Sequence, residues 1–187
     1  MPALQPQPNF ITLEQYESLP ENVHAEVFDG VIYNMAGPSQ EHQAILTELL
    51  VSIRSYIKKK GGGCSVFPAP FDVKLSDHPL TIVQPDIMIV CDRDKLDGYR
   101  CNGAPDFIIE IVSPGNPADD YIRKLYYYQH HGVREYWIVD PRRKCVTVYF
   151  FEGNIFSNPY TFESTIKVNI YDDLYINFSE ITNDLNM

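Results

Sequence analysis

Two acidic side chains lie in apolar segments that otherwise have the character of buried strands. Asp86 heads the run IMIV, and Glu110 lies inside the run FIIEIV. Alternate residues share one face of a strand, so Asp86 lies on a face with Met88, and Glu110 on a face with Ile108. If the two strands are neighbours, both carboxylates meet in an apolar setting, where they repel each other unless a cation or a proton intervenes. A divalent ion such as Mg²⁺ suits this place because it binds oxygen and needs only one or two carboxylates.

Each acid also has a simpler structural explanation. Asp86 follows Pro85 and is able to cap the entrance of its strand, or to pair with an arginine at the rim of the sheet. The same explanation fits Glu110 less well, because its strand offers no polar neighbour on either side and charged residues are rarely buried without partners. A metal site and a pair of structural acids both stay open at this point.

Lys124 is the third candidate, and helical geometry selects it. With about 100° of rotation per residue, Lys124 borders the apolar stripe formed by Tyr121, Leu125 and Tyr128. Its neighbour Arg123 falls on the opposite side and is predicted to point to solvent. The ammonium group of Lys124 either extends outward to water or reaches the carboxylates, where it would hold a water molecule or a phosphate oxygen.

An aspartate, a glutamate and a lysine around a divalent ion are able to hydrolyse a phosphodiester. The sequence contains no G-x-S-x-G motif, no P-loop and no G-x-G-x-x-G motif that opens a helix, so other common chemistries lack support. His42, in the first turn of a long predicted helix, could face the site, although a surface position is the simpler expectation. No other cofactor-binding motif is evident.

The elements that must position these residues follow from periodicity and turn residues. The order between residues 39 and 140 is one helix, three strands, a second helix and a strand, which predicts a mixed sheet flanked by helices. The predicted elements are a short helix from Thr12 to Leu19, a hairpin turning at Asp29-Gly30, a helix over 39–60, strands over 64–75, 81–91 and 106–113, a helix from the cap Asn116 and Pro117 to Gly132, and a hairpin around the turn PRRK. Residues 1–11 are predicted to be a flexible segment, and residues 12–187 a single domain.

Composition limits the functional classes. The 187 residues carry a formal net charge of −10, which opposes a broad electrostatic grip on nucleic acid or on an anionic membrane. No apolar stretch is long enough to span a membrane and no secretion signal is evident, so a cytoplasmic protein is expected. The cysteines show no C-x-x-C spacing, so all four are expected to be reduced. A narrow cationic groove remains possible, with candidates Lys58, Lys59, Lys60, Arg93, Lys95, Arg100, Arg142, Arg143 and Lys144.

The motifs together resemble a known family. QPD at 84–86, PDFIIEIVSP at 105–114, RKLYYYQHHGVREYWIVDP at 123–141 and the leading AEVFDGVIYNM look like the Uma-type restriction endonucleases of the PD-(D/E)XK nuclease superfamily. The resemblance covers about residues 12–180. It implies an α/β (α+β) fold with a restriction-endonuclease-like core, in which a mixed sheet is flanked by helices in the order αβββαβ, with additional β-hairpins at both ends.

The resemblance also implies roles for individual residues. Asp86 and Glu110 match the two metal-binding acids, and the backbone carbonyl of Ile111 matches a third metal ligand. Val112 stands where the superfamily pattern has a lysine, and Lys124 matches the family members in which that lysine has moved to the following helix. Glu26 looks like an additional N-terminal acid of the family, although a surface position on the hairpin is equally open.

The function that follows is cleavage of DNA by an endonuclease that depends on Mg²⁺ or Mn²⁺, and that works as a homodimer. The alternative is a module with a nuclease fold and no catalytic activity, which serves in binding or assembly. The acidic charge and the valine at position 112 favour that alternative.

Overall fold

The computed structural model describes residues 10–20, 22–113, 119–153 and 156–183. The predicted helix start at Asn116 and Pro117, and most of the segment 1–11, lie outside these residues. Within them, no helix is long and apolar enough to cross a membrane.

A six-stranded mixed sheet forms the centre of the molecule. Its strands, in spatial order, are β11 (Phe156–Thr161), β10 (Cys145–Phe150), β9 (Glu135–Asp140), β8 (Phe107–Ile111), β6 (Ile87–Val90) and β3 (Ser65–Pro68). Only β8 and β9 run parallel among these pairs, and a helical crossover joins them, as a parallel pair requires. The predicted mixed sheet flanked by helices is confirmed.

A second sheet of five strands accompanies the central one. Its spatial order is β2 (Val31–Asn34), β1 (Ala25–Phe28), β5 (Leu80–Val83), β4 (Asp72–Asp77) and β7 (Arg100–Asn102). The hairpin of β1 and β2 turns at Asp29 and Gly30, both with positive φ, as a tight hairpin of this hand requires. A small two-stranded sheet of β12 (Thr165–Lys167) and β13 (Tyr175–Asn177) lies near the C-terminus.

The prediction of single strands over 64–75 and 81–91 is wrong. The first run is divided into β3 and β4, and the second into β5 and β6, with one half of each in either sheet. Proline cannot donate a hydrogen bond to a sheet, and the breaks fall at Pro68–Pro70 and at Pro85. Asp86 therefore lies just before β6, at the point where the chain passes from one sheet to the other.

Two layers of apolar side chains cover the faces of the central sheet. Helix α2 (Gln40–Lys60) begins at the cap residue Ser39 and ends at Gly61, and it buries Ile45, Leu49 and Ile53 against one face. The opposite face, which includes Met88 and Ile108, packs against the second sheet and against α3 (Leu125–His131). Two further helices are short, α1 (Leu13–Glu17) near the N-terminus and α4 (Phe178–Asn183) near the C-terminus.

The expectation of four reduced cysteines is wrong for two of them. Cys64 and Cys91 form a disulfide, whereas Cys101 and Cys145 are free. The pairing follows from the register of β3 and β6, because Ser65 lies opposite Val90 and the next residues outward are the two cysteines. Spacing along the chain gave no hint of this contact, since 27 residues separate the two positions.

Candidate active site

The ends of two neighbouring strands bring Asp86 and Glu110 together. Strands β6 and β8 are antiparallel with Ile87 opposite Ile109, so the next pair outward is Asp86 and Glu110. The carboxylate of Asp86 accepts a hydrogen bond from the Ile111 backbone N–H at Oδ2, with a length of 2.7 Å. Asp86 therefore bridges the two strands at the position where the predicted site begins.

Lys124 is buried among acids. Its Nζ lies 3.0 Å from Glu110 Oε1, 3.1 Å from Glu26 Oε1 and 3.8 Å from Asp120 Oδ1. We call Glu26, Asp86, Glu110 and Asp120, with Lys124 at their centre, the acidic cluster. Of the two alternatives for Lys124, extension to water does not occur, because only 6% of the residue is exposed. The open question over Glu26 is likewise answered, since this residue is buried rather than on the surface of the hairpin.

A widened helical turn presents Lys124. Residues Asp119–Lys124 form a π-helical turn that leads into α3, and wide turns of this kind occur frequently at functional sites. The ideal α-helical rotation used for the prediction does not describe this turn. It placed Arg123 in solvent, but the guanidinium of Arg123 lies over the rings of Phe28 and Tyr33, with 4.1 Å from Cζ to the Tyr33 centroid.

Neutral groups complete the surroundings of the cluster. The hydroxyl of Tyr128 donates to Glu110 Oε1 over 2.6 Å, and the backbone N–H of Gln84 donates to Glu26 Oε1 over 3.0 Å. Tyr136 donates its hydroxyl to the backbone carbonyl of Asp120. The sequence assigns Tyr128 to the apolar stripe, yet its place one helical turn after Lys124 is the signal that it faces the same partners.

The charges of the cluster do not balance. Burial raises the pKa of Glu110 well above its usual value, and nearby Asp86, Asp120 and Glu26 raise it further against the opposing effect of Lys124. Burial lowers the pKa of Lys124, but the four surrounding carboxylates outweigh burial, and the pKa is raised. The cluster contains four carboxylates and one ammonium, so carboxylates contribute to both upward shifts, although burial is the larger cause at Glu110. Such a cluster favours an additional proton or an additional cation.

Three of the carboxylates use only one oxygen within the described residues. Oδ2 of Asp86, Oε1 of Glu110 and Oε1 of Glu26 take all the hydrogen bonds and ion pairs that these side chains make there. The second oxygen of each is left for another ligand. Carboxylate oxygens suit a hard divalent cation, so the donor set fits Mg²⁺ or Mn²⁺. In the described part of the chain, no three His, Cys, Asp or Glu side chains are grouped as a ready metal site.

His42 is not a surface residue, and that expectation is wrong. The residue is 7% exposed, and its Nε2 lies 3.0 Å from Asp86 Oδ2. Its Nδ1 is buried without a hydrogen-bond partner in the described structure. The helix cap explains the position, because the side chain of Ser39 accepts the His42 backbone N–H and starts α2 at the end of the sheet. His42 therefore contacts Asp86 from α2, which covers the face of the central sheet opposite to α3.

The second Pro-Asp motif has a structural role. Asp106 Oδ2 accepts the Cys91 backbone N–H over 2.7 Å, and Oδ1 pairs with Arg134 over 3.1 Å. These contacts fix the start of β8, at the opposite end of the strand from Glu110. Asp106 therefore does not join the acidic cluster.

Several of the candidate groove cations have local partners. Lys60 pairs with Asp173, and Arg100 pairs with Glu17. Arg93 and Lys95 donate to backbone carbonyls of their own neighbourhood. These four candidates are therefore engaged in contacts within the protein.

A family model described as "Putative restriction endonuclease", Uma2, matches residues 13–177. The chain belongs to the Uma2 family. The Uma-type resemblance read from the motifs is thereby confirmed, and membership supports a nuclease function.

Two further proteins resemble this Uma2 chain. An uncharacterised protein of Synechocystis, slr1290, is 25% identical over 136 residues, which are 72% of this chain and 70% of that protein. A solved structure described as a putative nuclease belonging to DUF820, from Anabaena variabilis, superposes with a TM-score of 0.76. It covers 92% of this chain and 98% of its own, at 22% identity, and so it shows a shared fold.

Proposed function

We propose that this chain is a Mg²⁺-dependent endonuclease that hydrolyses phosphodiester bonds of DNA. One observation carries the proposal: acids from three strand ends meet around a buried lysine, and each of Glu26, Asp86 and Glu110 keeps one oxygen without a partner among the described residues. A structural ion pair would not need four carboxylates around one ammonium. Family membership gives the same class of reaction.

Asp86, Glu110 and the backbone carbonyl of Ile111 are the groups that would hold the ion, with Glu26 as a further candidate. When bound, Mg²⁺ or Mn²⁺ polarises the phosphoryl group and lowers the pKa of a bound water. Lys124 supplies positive charge where negative charge develops on the phosphate oxygens. His42 and the Ile111 N–H hold Asp86 in one orientation. The oxygen of water bonds to phosphorus and gives up one proton to solvent, the P–O bond to the leaving alcohol oxygen breaks, and that oxygen takes up a proton from solvent.

A plasmid-nicking assay with Mg²⁺ or Mn²⁺ tests the proposal. Wild type should nick, and Asp86→Ala, Glu110→Ala and Lys124→Ala should not. Asp106→Asn is the matched control, because it alters the other Pro-Asp motif outside the cluster and should nick at the wild-type rate per folded molecule. Equal nicking by wild type and all three cluster variants would identify a contaminating nuclease and remove the proposal.

Calorimetric titration with Mn²⁺ tests the metal site without reference to cleavage. Wild type and Asp106→Asn should bind the ion, and Glu110→Ala should lose it. Unchanged binding in Glu110→Ala would place any metal elsewhere in the protein.

A binding or assembly module with this fold is the second candidate. Val112, which is buried, occupies the position where the superfamily pattern has its lysine, and the net charge of −10 disfavours a strong grip on DNA. This candidate predicts no nicking under any metal, together with unchanged binding of its partner in the cluster variants.

We further propose that the enzyme acts as a homodimer. Strand β11 is an edge of the central sheet, and edge strands present unpaired backbone groups to a second copy. Sedimentation of the purified protein should give twice the mass of one chain. A single-chain mass at micromolar concentration would remove this part of the proposal.

A further inference from the structure

An exposed aromatic residue lies directly beside the acidic cluster. Tyr33 of β2 is the register partner of Glu26 in β1, and directly opposed residues of an antiparallel pair project from the same face about 5 Å apart. The ring of Tyr33 also meets that of Phe28, two residues beyond Glu26, at 5.7 Å. Tyr33 remains 39% exposed, although its face of the hairpin leads into the buried cluster.

The residue that precedes Lys124 lies on the same ring. The guanidinium of Arg123 lies over Tyr33 at 4.1 Å and over Phe28 at 5.3 Å. A guanidinium stacked on an aromatic ring is a flat, weakly hydrated cation. Arg123 precedes Lys124 in the chain, and Tyr33 lies opposite Glu26, which pairs with Lys124. The stack of Tyr33 and Arg123 therefore lies next to the buried ammonium of Lys124.

A second exposed tyrosine extends this surface. Tyr126 is 54% exposed, and its ring contacts Tyr127, which in turn packs on Phe28. The rings from Tyr126 to Tyr33 form a chain of contacts through two buried residues. We call Tyr33, Arg123 and Tyr126 the aromatic rim. Both rings are partly exposed, and the Tyr126 ring also lies 4.0 Å from that of His130.

We propose that the aromatic rim binds an unpaired nucleobase next to the bond that is cut, so that the substrate is single-stranded or frayed DNA. The inference rests on the proposed function. Each base offers a π-face to an aromatic ring, but only an unpaired base can leave its stack to reach one. Because the chain has a net charge of −10, stacking supplies affinity that a phosphate grip does not.

Binding of a short oligonucleotide that contains 2-aminopurine tests the inference, because stacking quenches the fluorescence of this base. The probe is a single-stranded 12-mer, compared with its duplex, in Ca²⁺ instead of Mg²⁺. Wild type should quench the single strand and bind it at least tenfold more tightly than the duplex. Tyr33→Ala and Tyr126→Ala should each weaken single-strand binding by about tenfold, whereas Tyr33→Phe should retain it.

Tyr175→Ala is the matched control. Tyr175 is 55% exposed, nearly the same as Tyr126, but it lies on β13 in a different sheet. Its removal should leave binding and quenching unchanged. Equal affinity for duplex and single strand, or equal loss in Tyr175→Ala and the rim variants, would overturn the inference.

The outcomes separate this inference from the proposed function. If plasmid nicking requires Asp86 and Glu110 but is unchanged in Tyr33→Ala, the proposed nuclease function stands and the inference that the aromatic rim binds a base is overturned. If the protein cleaves no DNA but quenches 2-aminopurine fluorescence through the rim residues, the inference about base binding is supported and the proposed nuclease function is removed. If Tyr33→Ala instead converts a dimer to a monomer with DNA binding unchanged, the rim is a contact between copies and the inference fails.

Discussion

Glu110 and Glu135 lie on adjacent strands of the central sheet, and both carboxylates are buried. Glu135 uses both oxygens and meets only neutral donors: the Trp137 indole at 2.7 Å and the Asn169 amide at 2.9 Å on Oε1, and the Ile170 N–H at 3.0 Å on Oε2. Glu110 uses one oxygen and meets an ammonium, a phenol and three other acids.

The difference shows how this sheet buries an acid when only structure is required. The Trp137 indole of the same strand and two N–H donors of the C-terminal segment satisfy Glu135, and the latter two tie that segment to β9. These neutral donors bring no further charge close to Glu135, and they leave neither of its oxygens for a ligand. Glu110 has the opposite arrangement, and its excess negative charge and spare oxygen are properties that a metal site requires.

The largest difference between the two positions should be in the rate of DNA cleavage when the charge of each glutamate is removed. Glu110→Gln should reduce the rate of DNA cleavage by about a hundredfold or more, since it removes a candidate metal ligand. Glu135→Gln makes the same change of atoms on the next strand and should leave the cleavage rate per folded molecule unchanged. Initial rates of nicking with Mg²⁺ measure both. Similar losses in the two variants would show that cleavage follows burial of a carboxylate rather than the cluster.

The stability of the fold should depend more on Glu135 than on Glu110. Glu135→Ala leaves an indole N–H, an amide and a backbone N–H without their acceptor, and should lower the free energy of unfolding by about 3 kcal/mol. For a chain of this length that loss corresponds to a fall in Tm of about 6–12 °C. Glu110→Gln should change Tm little or raise it, because it relieves repulsion among the acids of the cluster. A larger fall for Glu110→Gln in thermal unfolding would contradict the comparison.

The phenol that donates to Glu110 should contribute less than the carboxylate. Tyr128→Phe removes a buried hydrogen bond to a charged group, about 1.5 kcal/mol, and should slow cleavage by about tenfold if that bond orients Glu110. Tyr127→Phe is the control, because the neighbouring hydroxyl donates to Asp29 over the same 2.6 Å but at the hairpin turn. Kinetics of both variants test this. A loss of rate in Tyr127→Phe as large as that in Tyr128→Phe would show that general loosening of α3 is responsible.

Local periodicity was sufficient to predict part of this site. Alternation along a strand placed Asp86 and Glu110 on one face, and helical rotation placed Lys124 at the border of the packed stripe. The structure brings the side chains of Glu110 and Lys124 within 3.0 Å. The mixed sheet and both predicted hairpins follow from similarly local signals, namely apolar runs and turn residues.

The features that the sequence did not reveal depend on contacts between distant residues. Cys64 and Cys91 meet only because β3 pairs with β6, and His42 meets Asp86 only because α2 begins at that end of the sheet. Arg123 was placed in solvent because an ideal α-helix was assumed where the chain forms a wider turn. The sequence gives no signal for the role of Glu135, since two of its three donors come from residues 169 and 170, more than 30 positions away.

The smallest predicted effect is the pH dependence of stability at Glu135. It tests whether burial or the neutral hydrogen-bond donors dominate the pKa of this carboxyl. Burial raises the pKa of this carboxyl above its ordinary 4.5, and the Trp137, Asn169 and Ile170 donors oppose that shift without cancelling it. A raised pKa means that the native state holds the proton more tightly than the unfolded chain. The contribution of Glu135 to stability is thus complete below about pH 4.5 and is lost as pH rises through the native pKa.

Glu135→Gln does not titrate at this position. The free energy of unfolding of wild type relative to Glu135→Gln should therefore fall as pH rises from about 4.5 to 7, by at most about 1.4 kcal/mol per pH unit. Urea unfolding of both proteins across that range measures the difference. A rise instead of a fall would mean that three N–H donors stabilise the anion more than burial disfavours it, and Glu135 would then be an even stronger contrast to Glu110, whose neighbours supply negative charge.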